Sequence, residues 1–396
     1  MAEWLKTALI DIVELIGGGT PKTSKAEYWG GNINWLSVKD FNNKNRYVYS
    51  TEKTITEEGL NNSSTKLLKK DDIIISARGT IGELAMIPFP MAFNQSCYGI
   101  RAKEGIDSIF LYYLIKNSVR KLKAITHGSV FDTITRDTFA NIEVAIPDIK
   151  TQHRIAKMLA DIDDKVENNQ RINNNLEQQA QVIFKSWFVD FEPYDGVMPS
   201  NWHISQLGSI ARISTEVFSP SKSPNVEVEH YSIPAYDEKH YPVFENSDGI
   251  KSNKYRLTSN SVMISKLNPD TKRIWRPYCV SNRPICSTEF IVYEPINPLN
   301  RDFVYSIVDS VGFSAYLCSH TTGSTNSRQR ATPSITLNYN IVLPDDKTLR
   351  SFCSIVTPMY DAIENNIKEN QKLAITRDIL LPKLMSGELD VSDIDL

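Results

Sequence analysis

The chain has 396 residues, of which 41% are hydrophobic and 10% aromatic, so it can form two or three globular domains with substantial cores. No apolar run approaches the roughly 18 residues of a membrane helix, and the N-terminus lacks the pattern of a signal peptide, so we expect a cytoplasmic protein. The five cysteines include no CxxC pair, which predicts reduced, buried thiols and no metal site. The net charge of −3 does not by itself suggest a nucleic-acid partner.

The first predicted domain covers residues 1–149. A β-like run, Asp72–Ala77, and a helix-like stretch, Phe110–Ile125, mix without βαβ regularity, which favours an α+β class. Three segments are predicted as polar loops: Gly17–Thr23, Trp35–Asp40 and Ala77–Gly82. Glycine lets backbone N–H groups approach a phosphate, although a plain flexible turn is an equally simple interpretation of Gly17–Gly19.

A long helix is predicted next, within residues 150–190. Apolar residues alternate in steps of four and three, which is the pattern of a coiled-coil seam; they are Ile155, Leu159, Ile162, Val166, Leu176, Ala180, Ile183 and Trp187. Asn169 and Asn173 occupy the two core positions between these sets, and Thr151 is the predicted cap.

The second predicted domain covers residues 191–346 and repeats the landmarks of the first. Trp202 and Leu207 correspond to Trp4 and Leu9, and Ser261–Lys266 is a second β-like run. A helix-like stretch, Phe303–Leu317, follows. Its polar loops differ from those of the first domain; they are Ser265–Pro269, Lys272–Arg276 and Asn326–Arg330.

The last predicted segment, residues 347–396, is a second heptad helix, to about residue 386, and a short acidic tail. Thr348 is its predicted cap, and Asn366 and Asn370 are its polar core positions. Pro358 predicts a kink or a late start, and Pro382 predicts a break, because proline removes a helical hydrogen bond.

A shift of 197 positions superimposes residues 147–187 on residues 344–384 without a gap. The compact domain between the helices keeps the start of the second near the end of the first, which favours antiparallel pairing. Asn169 then lies beside Asn370 and Asn173 beside Asn366, and we expect these four residues to fix the register. The alternative is that each helix packs only on its own globular domain.

The duplication predicts two similar domains, each followed by a long helix, with pseudo-two-fold symmetry. Such a chain imitates a homodimer and suits a target with two halves, of which DNA is the commonest. Charge supports this, since eight cations and one acid lie between Lys251 and Arg283, and a second cluster spans Lys116–Lys123. A solvated surface without a ligand is the alternative for both runs.

Several catalytic motifs are absent. The sequence has no GxxxxGK[ST] and no HExxH, and Asn297-Pro298-Leu299-Asn300 lacks the second proline and the aromatic residue of an adenine methyltransferase motif. Pro147-Asp148 followed by Asp163-Asp164-Lys165 superficially fits a Mg²⁺-dependent nuclease core, but the second acidic group lies mid-heptad on a predicted helix. The remaining alternatives are a stand-alone nuclease, a fused methyltransferase and a coiled-coil scaffold without a DNA role.

Taken together, these segments resemble the specificity (S) subunits of type I restriction–modification enzymes over essentially the whole chain. The most specific pieces are Gly18-Gly19-Thr20-Pro21 with Tyr28-Trp29-Gly30-Gly31 and Trp35-Leu36, Ile146-Pro147 leading into 152–159, residues 184–193, and residues 380–389. The resemblance implies two target recognition domains that read an asymmetric, split DNA site, and two antiparallel helices that set the gap between its halves.

The resemblance also implies a non-catalytic subunit that docks two methyltransferase (M) subunits and further restriction (R) subunits. S-adenosylmethionine, ATP and Mg²⁺ are expected on those partners, and none is expected on this chain. Trp187–Phe191 is a candidate for M docking or for core packing. The residues expected to contact DNA are Gly19, Thr20, Lys22, Lys39, Arg78, Gly79, Thr80, Ser129, Lys266, Asn268, Lys272, Arg273, Arg276, Ser324, Arg328 and Arg330.

Overall fold

The computed structural model describes residues 4–42, 45–126, 133–322, 329–391 and 394. The chain divides into two compact units, one formed by Met1–Asn168 with Asn370–Leu396 and the other by Asn169–Glu369. Each unit combines a mixed α+β globular part with one half of each long helix. The α+β class and the two long helices agree with the sequence prediction.

In the first unit, strands and short helices precede the first long helix. The strands are β1 Leu5–Ala8, β2 Val13–Gly17, β3 Trp29–Leu36, β4 Lys53–Ile55, β5 Leu67–Leu68, β6 Ile73–Ser76, β7 Leu84–Met86, β8 Met91–Phe93, β9 Cys97–Ala102 and β10 Glu143–Ile146. The helices are α1 Glu57–Asn61, α2 Ser108–Thr126, α3 Arg136–Ala140 and the long α4 Ile149–Phe188.

The second unit continues from α4. Its strands are β11 His203–Gln206, β12 Ala211–Ser214, β13 Val217–Phe218, β14 Glu227–Tyr231, β15 Val243–Asn246, β16 Lys254–Arg256, β17 Val262–Ser265, β18 Ile274–Trp275, β19 Pro284–Ser287, β20 Phe290–Pro295, β21 Thr321–Thr322, β22 Arg330–Ala331 and β23 Asn340–Leu343. Its helices are α5 Ile233–Lys239, α6 Arg301–Asp309, α7 Val311–Ser319, α8 Pro333–Thr336 and the long α9 Asp346–Ser386, whose last part belongs to the first unit.

The two units repeat one sheet topology. An antiparallel sheet of order β2-β9-β6-β7 in the first unit corresponds to one of order β12-β20-β17-β18 in the second. In both units the opening strand pairs with the strand that leads into a long helix, Leu5 with Ile146 and His203 with Leu343. The duplication seen in the sequence therefore extends to the strand order.

The second sheets of the two units differ more than the first. The first unit has the order β4-β3-β8-β5, and the second has five strands in the order β13-β16-β19-β14-β15. Each contains one parallel pair, β3 with β8 and β14 with β19. The second sheets thus differ between the units, as do the polar loops of the two sequence halves.

An aspartate that directly precedes each long helix caps it, in place of the predicted threonine. The Asp148 carboxylate accepts from the backbone N–H groups of Lys150 and Thr151, at 3.0 and 3.1 Å, and from the Thr151 hydroxyl at 2.7 Å. Asp345 accepts in the same way from Lys347 and Thr348. The threonines act as donors to the caps, because an aspartate one turn earlier already satisfies the first free N–H groups.

Helix α9 passes through both prolines without interruption, so the predictions of a late start at Pro358 and a break at Pro382 were wrong. Both prolines lie on the exposed side. Val356 and Leu384 on the opposite side are fully buried. Burial of that side offsets the roughly 3 kcal/mol that an interior proline costs a helix.

Three other sequence predictions need correction. Trp35 and Leu36 end strand β3, and Ile274 and Trp275 form β18, so neither pair lies in a loop. The predicted helix 303–317 is two helices separated at Ser310, whose hydroxyl accepts from the N–H of Phe313 at 3.1 Å and caps α7. The five cysteines are free thiols, but only Cys97 and Cys286 are buried, whereas Cys279 and Cys353 are partly exposed and Cys318 is exposed.

The aromatic run at the end of α4 packs into the core of the second unit. Phe188 is 4% exposed, and its ring centroid lies 5.1 Å from that of Phe303 and 5.0 Å from that of Phe352. Such edge-to-face pairs add to the stabilisation from buried area. Core packing is therefore the observed role of Phe188.

Among the described helices, none is both long enough and apolar enough to cross a membrane.

Candidate nucleic-acid interface

A polar cleft of about 430 Å³ opens in the first unit. Two short segments border it, Trp35–Asn42 at the end of strand β3 and the turn Arg78–Thr80 after strand β6. Its lining is rich in hydrogen-bonding side chains; the residues are Trp35, Ser37, Val38, Lys39, Asp40, Asn42, Glu52, Lys53, Arg78, Gly79, Thr80, Asn94 and Ser96. The cleft thus brings together residues predicted on two separate loops, Lys39 from one and Arg78, Gly79 and Thr80 from the other.

Local hydrogen bonds hold the first border in place. The Asp40 carboxylate accepts from the backbone N–H of Ser37 at 2.7 Å and from its hydroxyl at 2.8 Å. It also accepts from the N–H of Glu52 at 2.8 Å. Because Asp40 is occupied by backbone donors, its charge is partly compensated, and Lys39 next to it projects from a fixed turn.

The second border is the β6 corner, which we define as Ala77–Gly82. The Ser76 hydroxyl donates to the carbonyl of Thr80 and accepts from the N–H of Glu83. Gly79 has φ of +76°, and a side chain there would meet no atom within 4 Å. Glycine is therefore needed at this position for the backbone conformation, and the corner remains open to a ligand.

The exposed charges of the cleft are mainly positive. Lys39 and Arg78 are exposed and form no ion pair with any described residue. Lys53 is a third exposed cation that the sequence analysis missed. The sequence gives no indication of it, because Lys53 reaches the cleft only through the pairing of β4 with β3, which sets it opposite Trp35.

The glycines at Gly18 and Gly19 serve packing, in contrast to the predicted approach to phosphate. A Cβ on Gly19 would lie 2.3 Å from the backbone nitrogen of Thr65, and one on Gly18 would lie 2.1 Å from the carbonyl oxygen of Asn94. The Gly19 N–H donates to Phe93 at 3.0 Å, and its carbonyl accepts from the Trp35 indole at 3.0 Å. Both backbone groups of Gly19 are already used inside the protein.

Of the two neighbouring predicted residues, Thr20 is engaged inside the protein and Lys22 is exposed. The Thr20 hydroxyl donates to the side-chain oxygen of Gln95. The Lys22 side chain is exposed, and its carbonyl accepts from the Trp29 indole at 3.3 Å. Lys22 therefore remains available to an anionic partner.

The second unit repeats the corner. Ala77 and Lys266 each follow a buried serine at the end of a strand, and their N–H groups donate to the carbonyls of Ser96 and Glu289 respectively. Their own carbonyls accept from Ile134 and Ala331. We call residues 266–272 the β17 corner. The two corners therefore share their backbone hydrogen bonds and differ in their side chains.

Four of the eight cations of the basic segment Lys251–Arg283 form ion pairs within the second unit. Arg273 forms a forked pair with Asp237, at 2.6 and 2.9 Å, and Lys272 is bound by Asp309. Lys254 is 7% exposed, and burial lowers its pKa. Outside this segment, Arg330 pairs with Glu289 at 3.0 Å. Only part of the charge of +7 read from the sequence therefore remains without an ion pair in the described part of the chain.

Arg276 is a structural residue. Its guanidinium contacts Asp302 at 2.8 Å, Asp361 at 2.7 Å and Glu364 at 2.9 Å, and its side chain is 10% exposed. Burial opposes the charged form, but the contacts with Asp302 and Asp361 outweigh it and raise the pKa of Arg276. Arg276 is therefore not part of the candidate interface.

Two predicted residues stand at the β17 corner itself. Lys266 is partly exposed and forms no ion pair with the described part of the chain. Asn268 adopts a left-handed conformation with φ of +49°, and its N–H donates to the carbonyl of Gln329 at 3.0 Å. The predicted residues Ser129, Ser324 and Arg328 lie outside the described residues.

The helix segments within the second unit pair antiparallel. Asn173 lies opposite Asn366, whose amide donates to its side-chain oxygen at 2.8 Å, and Trp187 lies opposite Phe352 with ring centroids 6.0 Å apart. The Asn169 amide donates to Glu369 at 2.7 Å. Both helix segments also pack on the globular part of this unit, because Phe184 of α4 and Phe352 of α9 share a core with Phe303 of α6. The role of the four asparagines, Asn370 included, in fixing the register stays a prediction.

The nuclease alternative lacks a site in the described part of the chain. Asp148 caps α4, and Asp163 is buried and bound by Arg377 and Tyr113, each at 2.7 Å. Burial by itself would raise the pKa of Asp163, but Lys116 and Arg377 outweigh it and lower it. Within the part of the chain that the structure describes, no group of three or more His, Cys, Asp or Glu side chains could hold a metal ion.

Comparison with known proteins places the chain in a family. Residues 1–178 match the family described as the type I restriction modification DNA specificity domain. The MjaIX specificity subunit of Methanocaldococcus jannaschii is 30% identical across 99% of this chain and 95% of that protein. The EcoR124I/EcoR124II specificity subunit of Escherichia coli is 34% identical over 41% of each chain.

A solved structure shows the same fold. The S subunit of a type I restriction–modification system from M. genitalium superimposes with a TM-score of 0.61 and 17% identity, covering 98% of this chain and 97% of that one. The identity with the archaeal relative extends over nearly the full length of both chains. This chain therefore belongs to the specificity subunits of type I restriction enzymes.

Proposed function

We propose that this chain is the non-catalytic DNA-recognition subunit of a type I restriction–modification complex. The observation that carries the proposal is the repeated corner: the same strand end presents Arg78 and Thr80 in the first unit and Lys266 and Asn268 in the second. Arginine, lysine and asparagine are side chains that pair with base edges in the major groove. A common scaffold with different readers supports recognition of two different sequences.

The target is then bipartite and asymmetric. The first domain reads one half-site, the second reads the other, and the long helices α4 and α9 set the distance between them. Insertion or deletion of whole turns in both helices should change the length of the spacer and leave the half-sites unchanged. Methylation mapping of each variant measures this, and an unchanged spacer would contradict the role of the helices.

The finer assembly, two M subunits with R subunits, also belongs to this proposal. Exposed apolar residues on the long helices support a docking surface, since Val182 is 65% exposed and Ile379 is 56% exposed. These two residues are equivalent under the 197-residue shift. An apolar side chain kept at the same exposed position of both repeats suits two copies of one partner.

Cofactor chemistry is assigned to the partners. S-adenosylmethionine would be held by the M subunits, which transfer its methyl group to adenine, and ATP and Mg²⁺ by the R subunits. The purified chain should therefore neither methylate nor cleave DNA in the presence of S-adenosylmethionine and Mg²⁺, and methylation should appear when M is added. Activity of the chain alone would overturn the proposal.

DNA binding by the chain and its M partner should weaken as salt increases, because phosphate contacts release counterions. A salt-independent affinity would favour a scaffold without a DNA role.

For docking, Val182→Asp and Ile379→Asp should each weaken association with M in a co-purification assay. Val217→Asp is the matched control, because Val217 is 51% exposed but lies on a strand of the globular part.

A further inference from the structure

The two long helices repeat a pair of acidic residues that the DNA-recognition role does not explain. Asp164 and Glu167 on α4 correspond to Asp361 and Glu364 on α9 under the 197-residue shift. Residues three apart lie on the same side of a helix. In each unit this acidic pair is bound by one arginine from the globular part.

In the first unit the arginine is Arg46. Its guanidinium pairs with Asp164, and its backbone N–H donates to Glu167 at 3.0 Å. The side chain is 4% exposed, and the guanidinium carbon stands 5.0 Å from the centre of the Tyr47 ring. The Arg46 carbonyl also accepts from Met86 at 2.7 Å, which ties the same residue to strand β7 of the sheet.

In the second unit the arginine is Arg276. It contacts Asp361 and Glu364 on α9 and, with the same guanidinium, Asp302 on α6 of the globular part. The Thr357 hydroxyl of α9 donates to Asp302 at 2.6 Å. Helix α9 and helix α6 are thereby joined through a single buried group.

The two arginines are not related by the sequence repeat. Arg46 precedes strand β4, whereas Arg276 follows strand β18. The carboxylates are therefore equivalent, but the globular parts reach them from different places. A duplicated sequence does not by itself produce this arrangement, which points to a requirement shared by the two units.

The energetics favour a directional role over a purely stabilising one. Burial of the arginine gains little net stability, because the cost of its desolvation offsets its attraction to the carboxylates. The guanidinium of Arg276 nevertheless holds Asp302 of the globular part and two carboxylates of α9 at once, and these contacts require one geometry. An arginine that bridges a domain and a helix resists rotation of one against the other more than an apolar contact of similar size does.

We propose that Arg46 and Arg276 are positioning residues that hold each recognition domain in one orientation on its long helix. Resting on the proposed function, we further infer that this orientation sets the spacer length that the subunit accepts. A domain free to rotate on its helix reaches half-sites at more than one separation. Neither arginine needs to touch DNA for this effect.

The first experiment measures orientation in the full-length chain without DNA or partners. Glu227 and Asn365, both exposed, are replaced by a keto-bearing amino acid and spin-labelled, and the distance distribution is measured by pulsed electron resonance. Arg276→Met should broaden the distribution about two-fold. Arg256→Met is the control, since Arg256 pairs with Glu216 inside the globular part. Equal widths in all three proteins would overturn the proposal.

A second variant guards against simple misfolding. Asp361→Asn with Glu364→Gln removes the helix carboxylates and leaves Arg276 paired with Asp302, so no buried charge loses every partner. The same broadening is expected. Arg276→Lys keeps the charge but loses the forked geometry, and it should broaden the distribution as the methionine does. A narrow distribution in both variants would show that the contact does not set orientation.

The second experiment measures spacer tolerance in complexes with M. Duplexes carry the half-sites mapped for the wild type, with the natural spacer or one base pair more or less. The preference for the natural spacer should fall about ten-fold in Arg276→Met and in Arg46→Met, which corresponds to about 1.4 kcal/mol. Arg101→Met is the control for Arg46, because Arg101 pairs with Asp72 within the sheet.

The outcomes distinguish failure of the arginines' role in spacing from failure of the proposed function. A uniform loss of methylation on all spacers would overturn the role in spacing, since it indicates a DNA contact or a folding defect. If the wild-type complex methylates no DNA, the proposed function fails. The distance measurement still decides whether the arginines hold the domains.

Discussion

The hydrogen bond between Asn173 and Asn366 provides a direct test of whether polar residues at the helix–helix contact stabilise the fold as a pair. Asn173 is 7% exposed, and its side-chain oxygen accepts from the Asn366 amide at 2.8 Å. Replacing Asn366 with leucine removes the donor and leaves a buried carbonyl without it. A buried polar group that loses its partner costs about 1–3 kcal/mol, so Asn366→Leu should lower the free energy of unfolding by about that amount.

The double variant should behave differently. With leucine at both positions, no amide at this layer is left unsatisfied, and an apolar pair in a coiled-coil core is nearly neutral or stabilising. We therefore expect Asn173→Leu with Asn366→Leu to recover most of the loss. The two substitutions should show a coupling energy of at least about 1 kcal/mol.

Urea denaturation followed by far-ultraviolet circular dichroism measures the four proteins of the cycle. Asn174→Leu is the matched control, because Asn174 is the adjacent residue on the exposed side of the same helix. It should change the free energy of unfolding by less than about 0.5 kcal/mol. If the double variant loses the sum of the two single losses, the amides do not act as a pair and the reasoning is refuted.

Three further outcomes are expected. Arg78→Ala should weaken specific DNA binding by about 1–3 kcal/mol and relax specificity at one base position, measured by competition binding, whereas equal weakening on every sequence would indicate a phosphate contact. Hydrogen bonds from Thr348 lower the pKa of Asp345, so its stabilising effect is complete above the unfolded value of about 3.9 and is lost as the pH falls through the lower folded value; in acid denaturation the difference between the wild type and Asp345→Asn should therefore shrink in strong acid, and a constant difference would contradict the capping role. Phe352→Ala should cost about 3–5 kcal/mol because Phe352 is fully buried among aromatic rings, and a loss below about 1 kcal/mol in thermal unfolding would argue against that core.

Much of the architecture was predictable because it depends on local, periodic features. The heptad spacing predicted both long helices to within about two residues of their observed ends, and β6 and β17 were predicted from short apolar runs. The helix caps were assigned to threonine, and the structure places them at aspartate. Sequence spacing does not distinguish these, because both residue types cap helices and only the backbone geometry decides which oxygen accepts.

The candidate interface was less predictable, because exposure depends on contacts between distant residues. Arg78, Lys39 and Lys22 are exposed as expected. Gly19 and Arg276 have roles inside the protein.

The sequence by itself determined the duplication, the two helices and the family, since repeats and hydrophobic periods are properties of the chain alone. Tertiary structure decided which charges face solvent. Arg276 meets its three carboxylates across 26 to 88 positions of sequence, and no local pattern indicates those encounters. A cation counts toward a DNA-binding face only if folding leaves it without a buried acidic partner, and that is settled by packing and the cost of desolvation.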